Sequence, residues 1–101
     1  MIWKIIIIEN TYNYMEKELI EAISMVQSSE NMEKLLKYLN DRIKTPTKIA
    51  KALKLSQGNV SRTLQKLMKN GLVKCINPEK KVGKLYKVTI LGKKALKYAE
   101  E

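Results

Sequence analysis

Histidine is absent from this 101-residue sequence, and cysteine occurs once, at Cys75. Without histidine, the usual base for nucleophilic catalysis and the commonest metal ligand are both missing, which removes most hydrolase and zinc-site readings. No cofactor and no enzymatic activity are expected. A single thiol cannot build an internal disulfide framework and points to a reducing compartment. Long apolar runs are missing too. The stretch 2–8 is interrupted by Lys4 and falls far short of the roughly 20 residues that a membrane helix requires. It has neither the basic segment nor the small-residue cleavage site of a signal peptide, so a cytoplasmic location is expected. No internal repeat, low-complexity tract or obvious linker divides the chain. A domain of this size can bury roughly 60–65% of its unfolded surface, enough for one modest core.

What the sequence has in excess is positive charge, +10 overall, and the excess is unevenly placed. Residues 1–41 hold four lysines against seven acids, a net −3, whereas residues 42–101 hold sixteen Lys and Arg against three acids, a net +13. A composition that was merely lysine-rich would enrich lysine everywhere, and the first 41 residues do not comply. The asymmetry reads as a polyanion-binding part attached to a structural or partner-facing part.

Local signals set out a series of helices and one hairpin. Asn13 with Glu16 three residues on is a variant of the capping box. Met15, Leu19, Ile23 and Val26 follow as one stripe of a helix about four turns long. Ser28 and Ser29 interrupt it, and a second helix starts near Glu30 with Met32, Leu35, Leu36, Leu39 and Ile43 on one face. Thr45-Pro46 starts a short helix, since proline at the first helical position gives up an amide that has no partner anyway. That helix reaches Leu53 and buries Ile49, Ala50 and Leu53. Lys54-Leu55 forms a turn, and Ser56 caps a longer helix that runs to about Asn70, with Val60, Leu64 and Leu67 facing inward and Gly71 as its left-handed cap. Strands are expected over 72–76 and 84–88 around a turn at 77–83. Thr89 caps a final helix over 90–100, with Leu91, Ala95 and Tyr98 or Ala99 inward. Residues 5–8 fit an extra strand or the start of an apolar helix equally well.

The segment from Thr45 through Leu64, Thr-Pro-Thr-Lys-Ile-Ala-Lys-Ala-Leu-Lys-Leu-Ser-Gln-Gly-Asn-Val-Ser-Arg-Thr-Leu, carries the strongest signal. Two helices that cross steeply need a small residue where their backbones approach. Ala50 takes that place, with Ile49, Leu53, Leu55 and Val60 clamping the pair. The turn position often held by glycine is Lys54. The segment resembles the winged helix-turn-helix superfamily, particularly the MarR-like and ArsR-like regulators. The resemblance extends through Leu67 to Val73, with its Gly71-Leu72-Val73 helix-to-strand transition, and through the Thr89-x-x-Gly92 ending, covering roughly residues 30–100. It implies a mainly α fold with a small β-hairpin wing, a winged helix-turn-helix with an N-terminal helical extension. It also implies a recognition helix in the major groove of double-stranded DNA and a wing on the backbone or the minor groove.

The residues support that function on their own account. With Val60, Leu64 and Leu67 setting the buried direction, the opposite face of helix 56–70 carries Gly58, Arg62, Gln65 and Lys69, flanked by Asn59, Ser61 and Lys66. Arginine matches guanine, and glutamine or asparagine matches adenine, by paired hydrogen bonds. Ser56 and Gln57 lie at the helix N-terminus, which favours a phosphate. The face carries no acid. The wing 77–84 offers Lys80, Lys81 and Lys84 for phosphate attraction, and departs from the MarR-like pattern, whose wing has an Asp and an Arg. Cys75 reads as a small strand residue and not a redox sensor, and Trp3, Tyr12 and Tyr14 as core or dimer packing. The domains are then 1–28, an extension for dimerisation, and 29–101, the DNA-binding domain. A homodimeric transcriptional regulator is the leading expectation. The alternatives are a chromatin-type or RNA-associated protein bound without sequence choice, and a winged helix used only for protein assembly.

Overall fold

The computed structural model describes residues 14–100. Their element order is α1 (Tyr14–Ser28), α2 (Glu30–Leu39), α3 (Pro46–Leu53), α4 (Gln57–Lys69), β1 (Val73–Cys75), β2 (Tyr86–Val88) and α5 (Ile90–Ala99). The fold is the mainly α, hairpin-bearing one expected. The capping expected for α1 at Asn13, and the segment 5–8, lie outside the described residues.

Polar caps place the helices. Ser29, Thr45, Ser56 and Thr89 each stand in extended backbone just before a helix, and each side chain accepts a hydrogen bond from the backbone N–H three residues on. Each satisfies one of the donors that a helix start leaves without a partner. Ser29 thus does more than interrupt: it opens α2. At the far end of α4, Gly71 takes φ +80. Its N–H returns to the Met68 carbonyl at 3.1 Å and that of Leu72 to Leu67 at 2.9 Å, a Schellman stop whose two leucines are fully buried.

The core is a single cluster. Leu35, Leu36 and Leu39 of α2, Ile49 of α3, Val60 and Leu67 of α4, Leu72 and Ala95 are shielded from solvent, with Val26, Leu64, Val73 and Val88 nearly so. The hairpin is antiparallel, pairing Val73 with Val88, Lys74 with Lys87 and Cys75 with Tyr86. Its valines face the core and its lysines point away. The first strand is shorter than the sequence suggests at both ends and the second at its start, but the hairpin gains a third edge: Lys44 forms an isolated antiparallel bridge to Tyr86, exchanging hydrogen bonds of 3.3 and 3.0 Å.

That bridge explains one departure from expectation. Ile43 does not continue the stripe of α2. The helix ends at Leu39, the Arg42 N–H closes a turn on the Leu39 carbonyl at 2.8 Å, and the chain is drawn toward Tyr86, leaving Ile43 half exposed. At the end of α5 the structure selects Ala99 of the two residues expected to face inward. The inward stripe of α5 is Gly92, Ala95 and Leu96, with Leu91 and Ala99 half-buried at its edges, and Tyr98 falls outside it.

α1 packs chiefly along α5 and sinks Ala22 and Val26 into the common core. The C-terminal half of its stripe is therefore used within the chain. Glu100 beyond α5 meets Lys37 of α2 at 2.7 Å, and this carboxylate holds the Lys37 ammonium above its ordinary range.

Candidate nucleic-acid interface

α4 has two faces of opposite character. Val60, Thr63, Leu64 and Leu67 are buried, and Gln57, Gly58, Ser61, Arg62, Gln65, Lys66 and Lys69 are exposed. Thr63 is a polar member of the buried face and satisfies its hydroxyl by donating to the Asn59 carbonyl at 2.9 Å. The exposed face has two amide or hydroxyl side chains near its start, cations along its length and no acid. Such a face is repelled by nothing in a polyanion. It also offers both donors and acceptors to base edges.

Local chemistry orients it. Ser56 spends its hydroxyl oxygen on the Asn59 N–H at 3.1 Å, which fixes the start of α4. The N–H groups of Gln57 and Gly58 lie in the first turn, at the positive end of the helix dipole. Side chains on a helix lean toward its N-terminus. Accordingly a Cβ added at Gly58 would lie 3.5 Å from Arg62 Nη1, so the guanidinium lies back along the helix over Gly58. Arg62 is thereby delivered to the same end of α4 as Ser56 and Gln57.

Asn59 is placed differently from expectation. It is half-buried, and its Oδ1 accepts a hydrogen bond from Asn31 Nδ2 of α2 at 3.2 Å. A paired contact to adenine needs an acceptor and a donor from one amide. With one lone pair of its oxygen engaged by Asn31 and its side chain half-buried, Asn59 has less of its amide to offer a base than the exposed Gln57 and Gln65. Sequence reasoning could not find Asn31, because its partner lies 28 residues away.

Lys69, at the C-terminal end of α4, stands apart from the Arg62 group. It rims an open groove of about 840 Å³ between α1, the hairpin and α5, with Lys74, Lys87 and Lys93 nearby and Glu18 and Glu21 on the α1 wall. Lys80 and Lys81 are exposed at the wing tip and Lys84 is half-exposed. Lys74 and Lys87 face each other across the hairpin, a like-charge pair that costs stability in the free protein and that a polyanion would relieve. Among the described residues, no group of three or more Cys, Asp or Glu side chains could hold a metal ion. Cys75 is free and half-buried, its thiol 3.5 Å from Asn77 Oδ1.

Comparison with known proteins bears on the fold. The model of the bacterial regulatory proteins of the arsR family matches residues 29–74, from the cap of α2 into β1. No curated protein matches the sequence. Among solved structures, ZitR of Lactococcus lactis, in a double-mutant form, is 27% identical with a TM-score of 0.62, covering 71% of this chain and 50% of its own. MarR from E. coli in its apo form is 24% identical with a TM-score of 0.67, covering 99% of this chain and 74% of its own. A MarR mutant complexed with operator DNA is 22% identical with a TM-score of 0.65, covering 96% of this chain and 74% of its own. This chain thus spans half the length of ZitR and about three quarters of that of MarR. The fold is the winged helix-turn-helix of these regulators, with α3 and α4 as the helix pair and the 73–88 hairpin as the wing.

Proposed function

We propose that this winged helix-turn-helix protein is a sequence-specific, double-stranded DNA-binding transcriptional regulator that works as a cytoplasmic homodimer. It acts by binding and not by catalysis. The observation that carries the reading is the exposed face of α4, where Gln57, Ser61, Arg62 and Gln65 stand without an acidic neighbour on the helix. That face enters the major groove. Arg62 and Gln65 read bases, Ser56 and Gln57 with the first-turn amides hold a phosphate, and Lys66 and Lys69 hold the backbone farther along. Asn59 assists from the edge of that face. Lys80, Lys81 and Lys84 attach the wing to neighbouring phosphates. A MarR crystal structure with operator DNA, of the same fold, supports this docking.

Residues 29–101 form the DNA-binding domain, and residues 1–28 with α5 supply the dimer contact. α1 and α5 leave Ile20, Ile90 and Tyr98 exposed, apolar surface that a second copy would cover. No described helix is long and apolar enough to cross a membrane, which accords with a place beside the DNA. The test of the reading is a comparison of duplex affinities. Binding to a preferred duplex should exceed binding to a scrambled one by a factor of about 10³ or more. Equal affinity for both would mean an electrostatic binder without sequence choice.

A further inference from the structure

The wing tip carries an apolar side chain that phosphate attraction does not use. Val82 is 87% exposed, the highest value among the exposed large hydrophobic residues described. It stands between Lys81 and Gly83, and Gly83 takes φ +77 with nothing within 4 Å of where a Cβ would sit. The tip projects into open space, so the chain itself gives Val82 nothing to pack on.

Behind the tip the loop is tied. Asn77 Oδ1 accepts the Leu85 N–H at 2.7 Å, and Asn77 Nδ2 donates to the Gly83 carbonyl at 3.2 Å. The Asn77 carbonyl accepts the Lys80 N–H at 3.1 Å, and the Ile76 N–H donates to the Leu85 carbonyl at 2.9 Å. One residue thus fastens the loop on both sides of Val82. A tip held this way loses less freedom on binding than a loose one.

We infer that Val82 is an apolar wing-tip contact that packs on the sugar edges lining the minor groove of duplex DNA, with Asn77 as its positioning residue. The inference rests on the proposed DNA-binding function. Lysine suits insertion into a groove poorly because its ammonium holds water tightly. Lys80, Lys81 and Lys84 therefore hold the flanking phosphates while the side chain between them enters. Apolar side chains do enter minor grooves in other DNA-binding folds. A valine neither donates nor accepts, so the contact responds to groove width and not to base identity.

Fluorescence anisotropy on two duplexes tests this. One carries the preferred site with full flanks, and the other is cut back so that it ends before the wing can reach. Val82→Ala should weaken binding to the full duplex about tenfold, the effect of removing two buried carbons, and leave the short duplex unchanged. Val82→Thr, of the same shape, should fall between. Asn77→Ala should show the same duplex dependence, and the double variant should bind no worse than Asn77→Ala alone, because the two residues act as a unit. Val82 variants should melt as the parent does, since the side chain is exposed. Unchanged affinity of the Val82 variants for the full duplex, or equal loss on both duplexes, would overturn the contact. Additive losses in the double variant would overturn the positioning role. Failure of the parent protein to bind either duplex would instead remove the DNA reading itself.

Discussion

Gly92 shows how a single residue can be visible in sequence while its reason is not. The Thr89-x-x-Gly92 pattern marks the start of the last helix, but the requirement for glycine lies in tertiary structure. A Cβ at Gly92 would collide with the Leu72 carbonyl oxygen and lie 2.6 Å from Val88 Cγ1. Thr89 ties the same junction, its hydroxyl donating to the Gly71 carbonyl at 2.6 Å and accepting the Gly92 N–H at 3.1 Å. Gly92→Ala should therefore destabilise the protein by about 3 kcal/mol, because backbone atoms must move to relieve the overlap. A denaturant titration would measure it, and a change under about 0.5 kcal/mol would contradict the packing described. Lys54 makes the converse case. It is the one non-glycine residue with positive φ among those described, at +57 in the turn between α3 and α4. Lys54→Gly should raise stability by about 0.5–1 kcal/mol, the strain of a side chain in left-handed backbone less the added freedom of the unfolded chain. Thermal unfolding of the variant checks the sign. Asn31 and Asn77 were not legible at all, since their roles depend on partners that folding brings near.

The elements were mostly legible, because each helix announces itself with a cap and an apolar period. Thr45-Pro46, Ser56 and Gly71 set α3 and α4 to within a residue or so of where the sequence puts them. Where periodicity misleads, tertiary structure is the cause: it extends α2 to Ile43, but the Lys44–Tyr86 bridge draws the chain away. Periodicity leaves Tyr98 and Ala99 both open for α5, and the packing of that helix on the core takes Ala99. The recognition helix and the wing should be separable by mutation. Arg62→Ala should cost about 1–3 kcal/mol on the preferred duplex and much less on a scrambled one, as loss of a base contact does. Lys80→Ala with Lys81→Ala should weaken both duplexes by similar factors, since phosphates carry no sequence information. Equal losses for Arg62→Ala on the two duplexes would make Arg62 a backbone clamp and leave Gln65 as the reader.

At the scale of the whole molecule, charge and assembly govern behaviour. The net +13 of residues 42–101 should make log affinity fall with log salt by roughly 0.9 for each phosphate neutralised, and a flat response would contradict the electrostatic account. One winged helix covers half a site, so two copies should act on half-sites about 34–36 Å apart. Sedimentation at tens of micromolar should show a dimer, and a monomer both free and on DNA would contradict it. The central claim is that α4 chooses its sequence, and selection of bound duplexes from a random pool tests this most directly. The account predicts convergence on one motif with two-fold symmetry, lost or altered when Arg62 is replaced by alanine. Recovery of the pool without enrichment, despite tight binding at low salt, would contradict it.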